Sequence, residues 1–270
     1  MSLNFASISP HPQIIIPGIG TEEDLQKAVL TVQAMKKMAF AFGKADIDTL
    51  IVISPHMLIY PDKFNICGMK KLFGSFATSG APDIIVEANN DLDIANEIDK
   101  QCNISQVKSL LYNNEGEFFE LDHGIMVPLY YLNNLQESSF KVLPIAYSNL
   151  DKEAHFSFGQ AIKEVCQKYP GRIGILASGD LSHRLSHGNS DELKAGQEFD
   201  QKLIKDLEQN NVQDILSYDE DFVESAGECG YNSILILLGA LSNLPVSPKI
   251  LSYEGPFGVG YLVANYTIPE

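Results

Sequence analysis

The sequence predicts an α/β domain with a mostly parallel central sheet flanked by helices and a short antiparallel excursion. Three observations carry that prediction. Apolar, β-rich runs alternate with helical patterns along the whole chain. The helical stretches open or close on Asp, Asn, Ser or Gly, the residues that terminate helices. No Ser/Gly-rich linker, low-complexity tract or charge block interrupts the pattern, so residues 1–270 read as one domain.

The elements follow in order. Residues 3–9 form the first strand candidate. A helix is expected over residues 22–42, where Ala28, Val32, Met35, Ala39 and Phe42 recur at helical spacing and Thr21 with Asp24 makes a capping box. Residues 49–54 give a second strand. Three short strand candidates follow at 63–69, 72–77 and 83–88, separated by Gly-, Ser- and Pro-containing turns, and they predict the antiparallel excursion at a sheet edge. Helices are expected at 92–101, 124–134, 152–168, 191–209 and 231–242. Strands are expected at 141–147 and 172–178, with a closing pair near 249–253 and 259–266.

Composition narrows the functions. With 45% hydrophobic residues the chain buries a full core, and disorder, collagen and coiled coil are excluded. Lys and Arg number 19 against 35 Asp and Glu, a net charge of −16 that repels a phosphate backbone, so no nucleic-acid partner is expected. The longest apolar runs, such as residues 234–238, are far shorter than the roughly 18 residues of a membrane span. No basic segment resembling a signal peptide opens the chain, and a cytoplasmic protein without membrane contact is expected. Cys67, Cys102, Cys166 and Cys229 include no C-x-x-C pair and read as structural thiols.

The six histidines are the informative residues. The tetrapeptide Ile-Ser-Pro-His occurs at 8–11 and again at 53–56, each time after a strand. In open α/β sheets the carboxyl ends of strands are where ligands bind, and proline stops each strand there. His11 and His56 delivered from two strand ends can converge on one metal ion. His123, in Leu-Asp-His-Gly at 121–124, stands where a loop enters a helix, a position that lowers an imidazole pKa and suits an acid/base group. His183 closes Ser-Gly-Asp-Leu-Ser-His at 178–183, after the strongest strand. His187 reads as a solvated surface residue and His155, inside an amphipathic helix, as structural. For a third ligand the carboxylates near Gly-rich turns are Glu224, Glu228 and Glu254. Two imidazoles and one carboxylate form the facial triad of non-haem Fe(II) enzymes that use O₂.

The two Ser-Pro-His segments, Leu-Asp-His-Gly, Ser-Gly-Asp-Leu-Ser-His, Gly-Glu-Cys-Gly at 227–230 and Gly-Val-Gly-Tyr at 258–261 together resemble the class III extradiol ring-cleavage dioxygenases of the LigB superfamily, in particular stand-alone bacterial members related to Memo. The resemblance implies His11, His56 and Glu228 as Fe(II) ligands, with Zn or Mn as metals found on isolation, and His123 and His183 as the acid/base pair. It implies a catechol-type substrate and O₂ as partners, ring opening beside the two hydroxyls, and a homo-oligomer. Asp122 and Asp180 are candidate orienters of the pair. Memo-like relatives place a cysteine ligand where Cys229 falls. Glu228 is preferred because a carboxylate suits Fe(II) and O₂ chemistry better than a thiolate. The alternatives are a Memo-like binding protein without ring cleavage and a zinc hydrolase with His183 as base. Arg184 is a candidate for a substrate carboxylate, and Phe118, Phe119, Tyr231, Tyr253 and Phe257 are candidates for the pocket wall.

Overall fold

The computed structural model describes residues 3–133, 140–186 and 188–269. The predicted helix end at Asn134 and the surface assignment of His187 lie outside these residues. The central sheet is built from β1 (Leu3–Ser9), β2 (Thr49–Ser54), β3 (Phe64–Cys67), β6 (Ser109–Tyr112), β8 (Lys141–Ala146), β9 (Ile173–Ser178), β10 (Ser247–Glu254) and β11 (Tyr261–Thr267), in the order β10-β11-β1-β9-β2-β8-β3-β6. Its middle, β1-β9-β2-β8, is wholly parallel. The β10-β11 pair adds on antiparallel at one side, and β3 runs antiparallel to β8 at the other.

Helices cover both faces: α1 (Glu22–Lys27), α2 (Val29–Ala45) and α4 (His123–Asn133) on one, α3 (Leu92–Ile104), α5 (Lys152–Cys166), α6 (Ser190–Glu208) and α9 (Tyr231–Ala240) on the other, with short α7 (Val212–Leu216) and α8 (Glu220–Ala226) between α6 and α9. Side chains alternate across a strand, so a strand buried on both faces serves two cores. In β2, Ile51 and Ile53 join the core of α3, α5 and α9, whereas Leu50 and Val52 join that of Met35, Phe42 and Leu129.

Two expectations are revised. The excursion is a separate small sheet, in which β4 (Lys71–Phe76) pairs antiparallel with β5 (Ala81–Asn89) and parallel with the two-residue β7 (Phe119–Glu120), while the strand expected at 63–69 joins the central sheet as β3. The helix expected over 22–42 breaks at Ala28 (φ −100°, ψ 29°) into α1 and α2. The Thr21 and Asp24 capping box does start α1. At the break, Glu254, from β10, accepts hydrogen bonds from Thr31 N (2.6 Å) and Thr31 Oγ1 (2.7 Å) and so supplies an acidic cap to the second helix. Among the described residues no helix is long and apolar enough to cross a membrane.

Candidate active site

The sheet order decides which side chains meet. Since β1, β9 and β2 are adjacent and parallel, their carboxyl ends open on one edge, and each is followed by one of the sequence motifs. Ser-Pro-His puts His11 two residues past β1 and His56 two residues past β2. Between them, β9 ends on Ser178 and runs into the loop that carries Asp180 and His183. His123 opens α4, and Cys229 sits in the turn from α8 to α9.

His11 Nε2 and His56 Nε2 are 3.1 Å apart. The rings of His56 and His123 stack at 4.2 Å, and His123 meets His11 edge-on at 5.2 Å. Cys229 Sγ lies 3.6 Å from His11 Nε2 and 3.8 Å from His183 Nε2. The four histidines singled out by sequence therefore share one site, and Cys229, weighed from sequence against Glu228 as the third ligand, stands among them. His11 is buried; His56 and His183 reach solvent.

The network fixes the tautomer of His11. Ser178 Oγ donates to the carbonyl of Gly124 (2.5 Å), so it accepts from His11 Nδ1–H (2.9 Å), which leaves Nε2 as a bare lone pair facing His56 and Cys229. Burial holds all four imidazoles below their usual range, that of His56 at about 4, and neighbouring imidazoles add to the effect on His11 and His56. They are neutral at pH 7, the form that binds a metal or accepts a proton.

Two glycines let the loops close on the site. A Cβ at Gly179 would stand 2.1 Å from Cα of Gly230, and one at Gly124 would stand 2.4 Å from Ser54 Oγ. The His183 loop is pinned from three sides: Leu181 N donates to Gly260 O, Ser182 N to the buried carboxyl group of Asp200, and His183 N to Ala226 O. The Gly258–Tyr261 stretch thus serves as a backbone partner of this loop.

Glu228, the carboxylate expected as third ligand, points away from the imidazoles. Its carboxylate is turned into the start of α9, where Oε2 accepts from Tyr231 N (2.5 Å), and burial raises it to about 7. The neighbouring Cys229 points the other way, into the imidazoles, because consecutive residues of one turn cannot share a direction. Glu254 caps α2, and Glu224 lines a separate surface cavity with Lys152. Asp180 serves His11 rather than His183: Oδ1 accepts from His11 N (2.9 Å), and Oδ2 lies 3.8 Å from His11 Nε2. Asp122 Oδ1 accepts from Ser54 Oγ (2.7 Å). Arg184 donates to Ser225 O (3.0 Å). None of the five aromatic candidates lines the cavity; Tyr231 and Tyr253, for instance, donate to Ile215 O and to Asp200.

The cavity over the imidazoles has a volume of about 540 Å³ and is also lined by Gln13, Ile14, Ile19, Asp24 and Ser79. Ser79, from the small sheet, hydrogen-bonds Gln13, so the excursion walls the site. A larger cavity of about 760 Å³ lies between α3 and α5, where the charged side chains pair with one another, Lys100 with Glu97 and Lys168 with Glu164.

A metal ion fits the cluster at the edge of the sheet. His11, His56 and Cys229 each offer one donor atom, and these lie within 4.8 Å of one another. Metal–N bonds of about 2.0–2.1 Å and metal–S bonds of about 2.3 Å at tetrahedral angles require N···N near ~3.3 Å and N···S near ~3.6 Å. The His11–His56 and His11–Cys229 separations, 3.1 and 3.6 Å, agree, and the third pair lies within 4.8 Å.

Over residues 5–264 the chain matches a family model described as the catalytic LigB subunit of aromatic ring-opening dioxygenase. The chain belongs to the LigB family. It is 33% identical to protein CA_C1420 of Clostridium acetobutylicum over 97% of its own length and 57% of that protein, and 25% identical to the MEMO1 family protein MJ0403 of Methanocaldococcus jannaschii over 60% and 53%. It thus spans little more than half the length of these relatives. It is 24% identical to a 3,4-dihydroxyphenylacetate 2,3-dioxygenase of Escherichia coli over 78% of this chain and 79% of the enzyme. An uncharacterized protein of Escherichia coli K12, JW3007, shares the fold at a TM-score of 0.65 and 16% identity, over 97% of this chain and 98% of that one.

Proposed function

We propose that this LigB-family chain is a metal-dependent ring-opening dioxygenase acting on a catechol-type molecule and O₂, with His11, His56 and Cys229 holding Fe(II) and His123 and His183 as the acid/base pair. One observation carries the reading: four neutral imidazoles face one cavity, two of them converging with a thiol and two flanking. Fe(II) at the donor set would acidify a bound diol and supply electrons for O₂.

The chain's own residues do the rest. The Ser178 hydrogen bond keeps His11 Nε2 available, and the Asp180 carboxylate holds the backbone of His11 in place. His123 and His183, lowered by burial, accept the proton of a substrate hydroxyl near pH 7, and the group that has accepted it returns it to oxygen as the O–O bond breaks, both oxygen atoms being kept in the ring-opened product. Ile14 and Ile19 offer apolar surface to an aromatic ring.

The thiol donor supports a second reading. Cysteine suits Zn(II) better than Fe(II), and several relatives carry the MEMO1 family name. Under that reading the same site binds a small molecule or peptide without ring cleavage, or hydrolyses it with His183 as base. The two readings part on one experiment. Protein reconstituted anaerobically with Fe(II) is mixed with a catechol panel and O₂ uptake is followed. The dioxygenase reading expects stoichiometric uptake, a yellow product, and loss of both in His183→Ala with metal content retained. Bound metal with unchanged O₂ across the panel supports the second reading.

A further inference from the structure

The charge around the cavity bears on what else the substrate carries. Its lining includes Asp24 and Asp180, the second with its carboxyl raised to about 7 by burial and engaged by His11 N, and no lysine or arginine of the described residues lines it. Arg184, the basic residue next to His183, is turned to Ser225 O (3.0 Å) and toward Glu192 (3.9 Å). Lys27, one turn beyond Asp24, is paired with Glu23 at 2.8 Å. Helix α1 opens with Glu22, Glu23 and Asp24 and holds one lysine, so the segment beside the cavity is net anionic. Asp24 is itself firmly charged: hydrogen bonds from the Thr21 hydroxyl (2.6 Å) and backbone (3.0 Å) hold its carboxyl below the usual range.

A catechol with a carboxylate side chain finds no cation here and meets an anion. One with an ammonium group finds a partner at Asp24. Building on the ring-opening reading above, we propose that this site selects catechols bearing a cationic amine side chain over those bearing a carboxylate, and that Asp24 sets the preference. The substrate named for the Escherichia coli relative, 3,4-dihydroxyphenylacetate, belongs to the disfavoured class.

The test is equilibrium binding, independent of turnover. Purified protein, metal-free and loaded with redox-inert Zn(II), is titrated anaerobically by calorimetry with 2-(3,4-dihydroxyphenyl)ethylamine, 3,4-dihydroxyphenylacetate and catechol. An ion pair open to solvent on one side, against repulsion on the other, gives the amine about tenfold tighter binding than the acid at low salt. The preference shrinks in 1 M NaCl. Asp24→Asn, which keeps a side chain able to cap α1, brings amine and acid within about twofold, while Asp24→Glu retains the preference. Catechol binding with equal or tighter binding of the acid, or a preference that survives Asp24→Asn, overturns the selectivity and leaves the ring-opening reading standing. Failure of all three compounds to bind either form overturns both.

Discussion

Substituting Gly179 by alanine tests whether the contact between two loops sets the geometry of the site. The added Cβ stands 2.1 Å from Cα of Gly230, 3.0 Å from its N and 3.3 Å from the carbonyl oxygen of Cys229. All three are backbone atoms, so no side chain can swing aside. Carbon atoms settle at about 3.5 Å or more, which requires the His183 loop and the Cys229 turn to part by roughly 1.4 Å. At that separation the Cys229 N–H to Asp180 O bond, now 3.2 Å, is lost, and Asp180 N leaves Cys229 Sγ, now 3.3 Å away. Overpacking costs about 1–3 kcal/mol and a lost hydrogen bond about 1 kcal/mol, so ~3 kcal/mol in all, or a Tm lower by roughly 6–12 °C at this chain length. Cys229 Sγ also moves relative to His11 Nε2, and affinity for Zn(II) falls by about 10–100-fold, the usual penalty for disturbing a ligand's support. Gly74→Ala is the control. There the closest atom is the flexible Met126 Sδ at 2.3 Å, with Leu121 Cβ at 3.0 Å, so repacking holds the cost to about 1 kcal/mol, the low end for overpacking, with unchanged metal affinity. Thermal unfolding and a chelator-competition titration read both quantities. A Gly179→Ala variant that matches Gly74→Ala in Tm and binds Zn(II) within twofold of wild type refutes the reasoning.

Three further outcomes follow from the same geometry. Cys229→Ser weakens Zn(II) or Fe(II) binding at least tenfold in the chelator titration, whereas Glu228→Gln leaves it within about twofold; the reverse order restores the carboxylate as third ligand. Asp200 is fully buried and its carboxyl is raised from 3.8 to about 6 by burial, so its protonated form is favoured in the folded state. Its contribution to stability is full below pH 4 and is lost as pH rises to about 6, a change of ~3 kcal/mol from some two pKa units. Urea unfolding of wild type and Asp200→Asn at pH 4 and 6.5 isolates it, and an identical gap between the two proteins at both pH values contradicts the assignment. Glu254→Ala removes the cap on α2 and lowers stability by about 1–2 kcal/mol, or roughly 2–8 °C in Tm, and an unchanged Tm speaks against that cap.

The parts of the molecule legible in the sequence are those that short-range rules govern. The capping box at Thr21 and Asp24, the helical spacing from Val32 to Phe42 and the strand-stopping Ser-Pro-His segments all act within a few residues, and the structure shows each at its expected place. The convergence of His11 and His56 was readable because a repeated tetrapeptide after parallel strands implies a common sheet edge. What escaped depends on partners far apart in sequence. Glu254 caps α2 from 223 residues beyond Thr31, and Asp200, in α6, pins the loop residue Ser182. Strands β6 and β7 are four and two residues long, too short for any period to show. Gln13, Asp24 and Ser79 meet at the cavity from three separate segments, Ser79 from the turn between β4 and β5.

Glu228 and Cys229 show where chemical preference gives way to geometry. Judged by affinity for Fe(II) and O₂ chemistry, the carboxylate is the better third ligand; judged by position, it is the residue that the start of α9 recruits. The first backbone N–H groups of a helix have no partner within it, and α9, buried along nearly its whole length, has little water to satisfy them. Glu228 stands three residues before Tyr231 and accepts its N–H, and the hydroxyls of Tyr147 and Tyr231 in turn feel its charge. The turn therefore spends its carboxylate on the helix and leaves the thiol to face His11, 3.6 Å away. The proposed metal centre would inherit its third donor from the needs of the fold, and the ion it prefers would follow from that donor. The same logic ties the Gly179 and Cys229 variants together: one moves the thiol by forcing the turn away and the other removes it in place, so equal losses of metal affinity in both identify the sulfur as the atom that matters.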